Sequence, residues 1–304
     1  MTGYLHPAYA DSLSEFGKPY QLKSSGGWIL ISSINNSLGL SVCDARGVYP
    51  LFTCRYWSKI NDDLVSLENE LISLVMVTDP FGDFNTRDLQ SCFPDLFRPY
   101  KEHFVIDLSR DPAEFVSCHH KRYVRKARKK VQVEICPEPM TYAQDWCNLY
   151  SNLIKRRTIK GISAFSKNSL CKQLQVPGLD MFRAVYKGQS VGIMLIFRLN
   201  YVGYYHLSAY NDTGYDNRAS FALISFIMEY YASKLRWINL GAGAGIHGNS
   251  NDGLTRFKKG WATGTRTAYI CGKVFNRPVY DQLSSNYRSQ INDYFPIYRK
   301  DEVL

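Results

Sequence analysis

Between Arg236 and Trp261 the chain reads RWINLGAGAGIHGNSNDGLTRFKKGW. A short apolar strand, Trp237 to Leu240, runs into Gly241, Gly243, Gly245, Gly248 and Gly253 and leaves through a basic, aromatic segment. Glycine admits positive φ and leaves bare amides for a ligand to lie against, so this cluster suits close approach of backbone to a bound group. A long surface loop uses glycines equally well for its turns. Phe257-Lys258-Lys259-Gly260-Trp261 favours the first reading, because it returns cations and rings to the mouth of the loop. Two other stretches carry reactive groups. On Val202 to Ala209, alternation places Tyr204, His206, Ser208 and Tyr210 on one face, with Tyr205 and Leu207 on the other. Imidazole, with an ordinary pKa of about 6.5, can take a proton from an amine directly or through water, although a strand histidine serves as well in a structural hydrogen bond. Asn211 to Ser220 opens a helix whose N–H groups and dipole suit a phosphate, with Arg218 adding charge.

These groups must be held by a sheet. From Val131 the pattern predicts a strand to Cys136, helices over Tyr142–Thr158 and Lys167–Leu174, then an antiparallel meander of Met181–Tyr186, Val191–Leu199 and Val202–Ala209. A helix over Ser220–Leu235 and strands at Trp237–Leu240 and Thr267–Val274 complete it. Ahead of this, residues 1–110 read as a small α/β unit. Its strands are Trp28–Ile34, a hairpin of Leu38–Val42 and Val48–Trp57 turning at Asp44–Gly47, Leu71–Thr78 and His103–Leu108. Asp111 and Pro112 open one helix that carries Lys121, Arg122, Arg125, Lys126, Arg128, Lys129 and Lys130.

Lys and Arg exceed Asp and Glu by 37 to 27 over 304 residues, a net charge of +10 that favours a polyanionic partner without choosing one. The eight cysteines show no C-x-x-C pair and no zinc-finger spacing, so no structural metal is expected. Cys118-His119-His120 sit on adjacent helical positions that point apart, which argues against a ligand set. The N-terminal residues show no charged-then-apolar leader, and no apolar run nears the roughly 20 residues of a membrane span. A cytoplasmic protein with free thiols and no membrane span is expected.

In its final third the chain resembles the GNAT N-acyltransferase fold, in its Fem-type branch. The motifs are Ser208-Ala209-Tyr210, Gly214-Tyr215-Asp216-Asn217-Arg218-Ala219 opening a helix, Asn239-Leu240-Gly241, and Gly253-Leu254-Thr255-Arg256-Phe257-Lys258-Lys259-Gly260. That branch contains the aminoacyl-tRNA-dependent transferases of peptidoglycan cross-bridges. The resemblance implies an α+β fold with a mixed, largely antiparallel sheet flanked by helices, in two GNAT-like lobes: a degenerate one over 1–110 and a transferase domain over 111–304 that begins with the basic helix. It implies transfer of an acyl or aminoacyl group to a small-molecule or peptide amine, from acyl-CoA by slight preference or from aminoacyl-tRNA. Lys258 would neutralise a donor phosphate or the oxyanion, beside His206 and Ser208 as catalytic groups. Gly214, Asn217, Arg218, Ala219 and Ser220 would bind the donor, and Tyr204, Tyr210, Asn239, Gly241, Gly243, Phe257 and Trp261 would line the pocket. The chain departs from the pattern twice: Asn211 to Ser220 has one glycine where GNAT proteins carry a pyrophosphate loop, and Asn239 stands where Fem-type proteins often have aspartate.

Two other readings compete. A Rossmann-type nucleotide loop at Leu240-Gly241-Ala242-Gly243-Ala244-Gly245 lies too near the chain's end and lacks an acidic ribose partner. A non-catalytic RNA-binding protein built on the basic helix 121–130 predicts salt-sensitive affinity without turnover.

Overall fold

The computed structural model describes residues 1–35, 39, 41–243, 252–285 and 294–303. The chain forms two compact units: a central one (residues 1–3, 101–159 and 166–267) and a terminal one (4–100, 160–165 and 268 onward). In chain order the elements of the first hundred residues are α1 (Pro7–Ser12), β1 (Lys18–Gln21), β2 (Trp28–Ser33), β3 (Cys43–Gly47), α2 (Ile60–Ser66), β4 (Ser73–Val77), α3 (Thr86–Cys92) and the start of β5 (Leu96–Asp107). Next come α4 (Pro112–Phe115), α5 (Cys118–Arg128), β6 (Gln132–Cys136), α6 (Ala143–Arg157), α7 (Lys167–Gln173), β7 (Leu179–Tyr186), β8 (Gln189–Leu199) and β9 (Val202–Tyr210). The chain closes with α8 (Asp212–Asp216), α9 (Ala219–Tyr231), β10 (Trp237–Gly241), α10 (Gly253–Lys259), β11 (Gly264–Val274) and α11 (Arg277–Leu283).

In the terminal unit β1, β2 and β3 pair antiparallel, β3 lies parallel to β4, and Ile270–Val274 of β11 pairs antiparallel with β4. The hairpin expected to turn at Asp44–Gly47 is not found: those residues belong to β3, and Leu38 and Leu40 lie outside the described residues. Asp44 reads as a turn residue because an unpaired carboxylate avoids burial. Here it is 3% exposed and accepts two hydrogen bonds from Arg299, each of 2.6 Å, a partner that no local pattern reveals.

In the central unit β6, β7, β8 and β9 form an antiparallel meander, β9 runs parallel to β10, and the other edge of β10 pairs antiparallel with Phe104–Asp107 of β5. The architecture is α+β, with mixed, mostly antiparallel strands flanked by helices. Helix α9 is apolar around most of its surface and buries Leu223, Ile224, Ile227, Met228 and Tyr231 against Phe182, Met194 and Ile196 of the meander. Each such side chain contributes roughly 1.5–3 kcal/mol. The single basic helix expected after Asp111 is two. Asp111 caps α4 by accepting from Ala113 N, but Ser117 adopts an extended conformation and caps α5 through its own hydroxyl, so the charged segment starts afresh at Cys118. Among the described residues no helix is long and apolar enough to cross a membrane.

Candidate functional site

The parallel ladder between β9 and β10 pairs Val202 with Trp237, Gly203 with Ile238 and Tyr204 with Asn239, and goes no further, although β9 runs on to Tyr210. The strands therefore part at Tyr204 and Asn239, just before Gly241. Asn239 is 2% exposed, and its Oδ1 accepts the Gly241 N–H at 2.8 Å. An amide N–H can only donate, so this bond fixes the orientation of the Asn239 amide. His103 Nδ1, 3.1 Å from the same oxygen, must then donate as well.

Lys258 reaches this fork from α10. It is buried; Nζ donates to Ala242 O at 2.6 Å and lies 5.6 Å from the centre of the Tyr205 ring. Gly241 has φ of +74°, and a Cβ there would stand 3.3 Å from Lys258 Nζ, so both backbone and space call for glycine. Burial drives the lysine pKa down to about 7; Asp252 opposes the shift and Lys101 reinforces it. An ammonium has three N–H groups, and among the described residues only Ala242 O accepts from this one. Asp252 also sets the start of α10, its Oδ1 accepting from Leu254 N at 2.7 Å and Thr255 N at 2.9 Å. A Cβ at Gly243 would meet Thr255 Oγ1 at 2.1 Å, so this glycine keeps the loop close against α10. Gly245 and Gly248 lie outside the described residues.

The shared face expected on β9 is broken. The register against β8 shifts between Leu195 and Ile196, leaving His206 as the extra residue of a β-bulge. Two-residue alternation fails across a bulge, so Tyr205 and Ser208 meet instead, Oη hydrogen-bonded to Oγ. Tyr210 Oη is buried and has no hydrogen-bond partner among the described residues. His206 packs on the Phe197 ring, and its Nε2 lies 3.0 Å from Gln173 Oε1 of α7. Burial lowers its pKa to about 3.

At the start of α9, Arg218 takes a left-handed conformation and stacks its guanidinium on Tyr123, 4.5 Å from the ring centre. Asn217 Nδ2 donates to Thr213 O, and Gly214 packs so tightly that a Cβ would stand 2.1 Å from Val191 O. Ala219 is fully buried and Ser220 half-buried. Phe257 and Trp261 form an aromatic cluster with Phe221 and His120. His120 fastens α5 there: with Nε2–H donated to Phe257 O at 2.9 Å, its Nδ1 accepts the Ser117 hydroxyl at 2.7 Å. Trp261 also lines a groove of about 580 Å³ between α4–α5 and α9, with Phe115, Val124 and Met228 as floor and Arg125 and Arg128 at the rim.

The structure thus brings together Asn239, Gly241 and Lys258, with Tyr204 joined to Asn239 through the backbone ladder and Gly243 further along the loop. Tyr210 and Ser208 adjoin them through Tyr205. His206 and the Gly214–Ser220 set stand in other surroundings. His103, Lys101, Asp252 and Tyr205 escaped sequence reasoning. Asp252 had a readable signal, an acidic residue just before Gly-Leu-Thr at a helix start, whereas His103 had none.

No family model and no curated protein matches the sequence. Solved structures do match in fold. FemX is 13% identical with a TM-score of 0.58, over 91% of this chain and 93% of its own. The C-terminal domain assigned to a lysylphosphatidylglycerol synthetase of Agrobacterium fabrum is 13% identical with a TM-score of 0.63, over 93% and 92%. L-PGS of Bacillus licheniformis is 15% identical with a TM-score of 0.55, over 94% and 98%. The chain shares the fold of FemX and of these two proteins.

Proposed function

We propose that this protein is an N-acyltransferase that moves an acyl or aminoacyl group from an activated donor to a small-molecule or peptide amine. The observation that carries the reading is the fork: β9 and β10 separate after Tyr204–Asn239, and a buried lysine that meets one acceptor among the described residues stands there. Attack of an amine on a thioester or ester puts negative charge on the carbonyl oxygen. A buried ammonium with spare donors stabilises that charge far better than water does, because little solvent screens it. Asn239 holds the Gly241 amide, and Gly241 leaves room for Lys258 Nζ, so Gly241 and the lysine are set as one unit.

Arg218, stacked on Tyr123, keeps guanidinium N–H groups for a phosphate of the donor; the donor proposed is an acyl-CoA by slight preference, with aminoacyl-tRNA next. The exposed cations of α5, among them Arg122, Arg125 and Lys126, suit a polyanion and also sustain the competing reading of an RNA-binding protein without chemistry.

The test is intact-mass spectrometry of a pool of amines incubated with the full chain and either mixed acyl-CoAs or mixed aminoacyl-tRNAs. A mass gain equal to the acyl group, lost in Lys258→Ala, is expected. Salt-sensitive RNA retention with no product from any donor would refute transfer and favour the binder.

A further inference from the structure

Acyl transfer to an amine needs a base, and the histidine picked out by sequence is held by Gln173 on α7. We infer that His103 is the proton acceptor of the transfer, its Nε2 lone pair receiving the proton that the attacking amine gives up. This rests on the transferase reading and adds a residue to it.

The tautomer of His103 decides its role. Asn239 Oδ1 accepts from Gly241 N, so it is an acceptor, and His103 Nδ1 at 3.1 Å must carry a hydrogen to meet it. A neutral imidazole has one N–H, which leaves Nε2 with its lone pair. His103 is 7% exposed, yet no described residue bonds Nε2. A lone pair left available on a ring that senses the Lys258 charge is what a base for the attacking amine requires. His120 makes the contrast, since both its nitrogens are bonded to protein.

The charged groups around the ring define when it can act. Lys258 from α10 and Lys101 from its own strand disfavour the imidazolium, while Glu102 and the bond to Asn239 favour it; burial dominates, and the ring is neutral at physiological pH. The amine lone pair forms the new C–N bond, and the carbonyl π electrons move onto oxygen beside Lys258. The nitrogen's proton passes to His103 Nε2. When the C–O or C–S bond to the donor breaks, its electron pair leaves with the donor alcohol or thiol, which takes the proton from Nε2 and restores the neutral ring. The oxyanion offsets the Lys258 charge while the imidazolium exists, so the two groups assist one another.

His103→Asn tests this directly, because the asparagine amide nitrogen superposes on Nδ1 and keeps the bond to Asn239 while deleting Nε2. With mixed aminoacyl-tRNAs or acetyl-CoA as donor and hydroxylamine or lysine as acceptor, single-turnover transfer should fall about 10²–10⁴-fold with unchanged thermal unfolding and a KM for donor within threefold. A variant that transfers within threefold of the unmodified protein overturns the inference and leaves the transferase reading standing. Absence of product from the unmodified protein with every donor sinks both. Long-range ¹H–¹⁵N spectra of the imidazoles give a check that needs no donor: His103 should be the Nδ1–H tautomer, and an Nε2–H tautomer overturns the assignment.

Discussion

Replacing Lys258 with methionine removes a buried positive charge while filling the same space, and its effect on stability should depend on pH in a definite sense. Burial lowers the lysine pKa from 10.5 to about 7. The folded state therefore binds fewer protons than the unfolded chain between those values, and the wild type gains stability as pH rises through that window. Below pH 7 the lysine is charged in both states and the whole burial cost is present, on the order of 5 kcal/mol at about 1.4 kcal/mol per tenfold change in proton affinity. Losing the hydrogen bond to Ala242 O sets about 1 kcal/mol against this. Lys258→Met should accordingly be more stable than the wild type by roughly 4 kcal/mol at pH 6 and by roughly 1 kcal/mol at pH 9. Urea unfolding of both proteins at the two pH values measures the difference. A gap that does not narrow with pH, or a methionine variant less stable at pH 6, would refute the claim that burial lowers the pKa of this lysine.

Other substitutions report on the support around the site. Asn239→Leu strands the Gly241 N–H and the His103 Nδ1–H, at about 1–3 kcal/mol each, and should lower the melting temperature and abolish transfer. Asn239→Asp keeps the acceptor but adds a charge beside the ring, so an NMR titration should find the His103 pKa raised from about 4. Gly260→Ala would set a Cβ 2.1 Å from His120 Cε1 and force α5 away from α10, which calorimetry should register as a clear loss of stability. Arg128→Ala breaks an ion pair with Glu229 whose side chains are 42% and 60% exposed, and should change unfolding free energy by less than about 0.5 kcal/mol.

Sequence periodicity was enough to place the meander, α6, α9 and β10 within a few residues, because each has a long, regular apolar pattern. It was also enough to single out Asn239, Gly241, Gly243 and Lys258, which are close in the chain and are positioned by one strand-loop-helix unit. The rest depends on contacts that no local pattern records. His103 meets Asn239 across 136 positions of sequence. Asp44 is made tolerable as a buried strand residue by Arg299, from the far end of the chain. The face of β9 was misread because one inserted residue, His206, reverses every side chain beyond it, and a bulge has no signature in an apolar-polar alternation. The break at Ser117 was missed since a serine inside a charged run also fits an unbroken helix.

Lys258 is the group proposed to meet charge developing on the acyl carbonyl at the β9–β10 fork. Single-turnover transfer to hydroxylamine, an acceptor that stays unprotonated near neutrality, measures this without interference from the acceptor's own titration. The account predicts that Lys258→Met lowers the rate by about 10²–10³-fold with little change in donor KM. Transfer by that variant at the wild-type rate would contradict it.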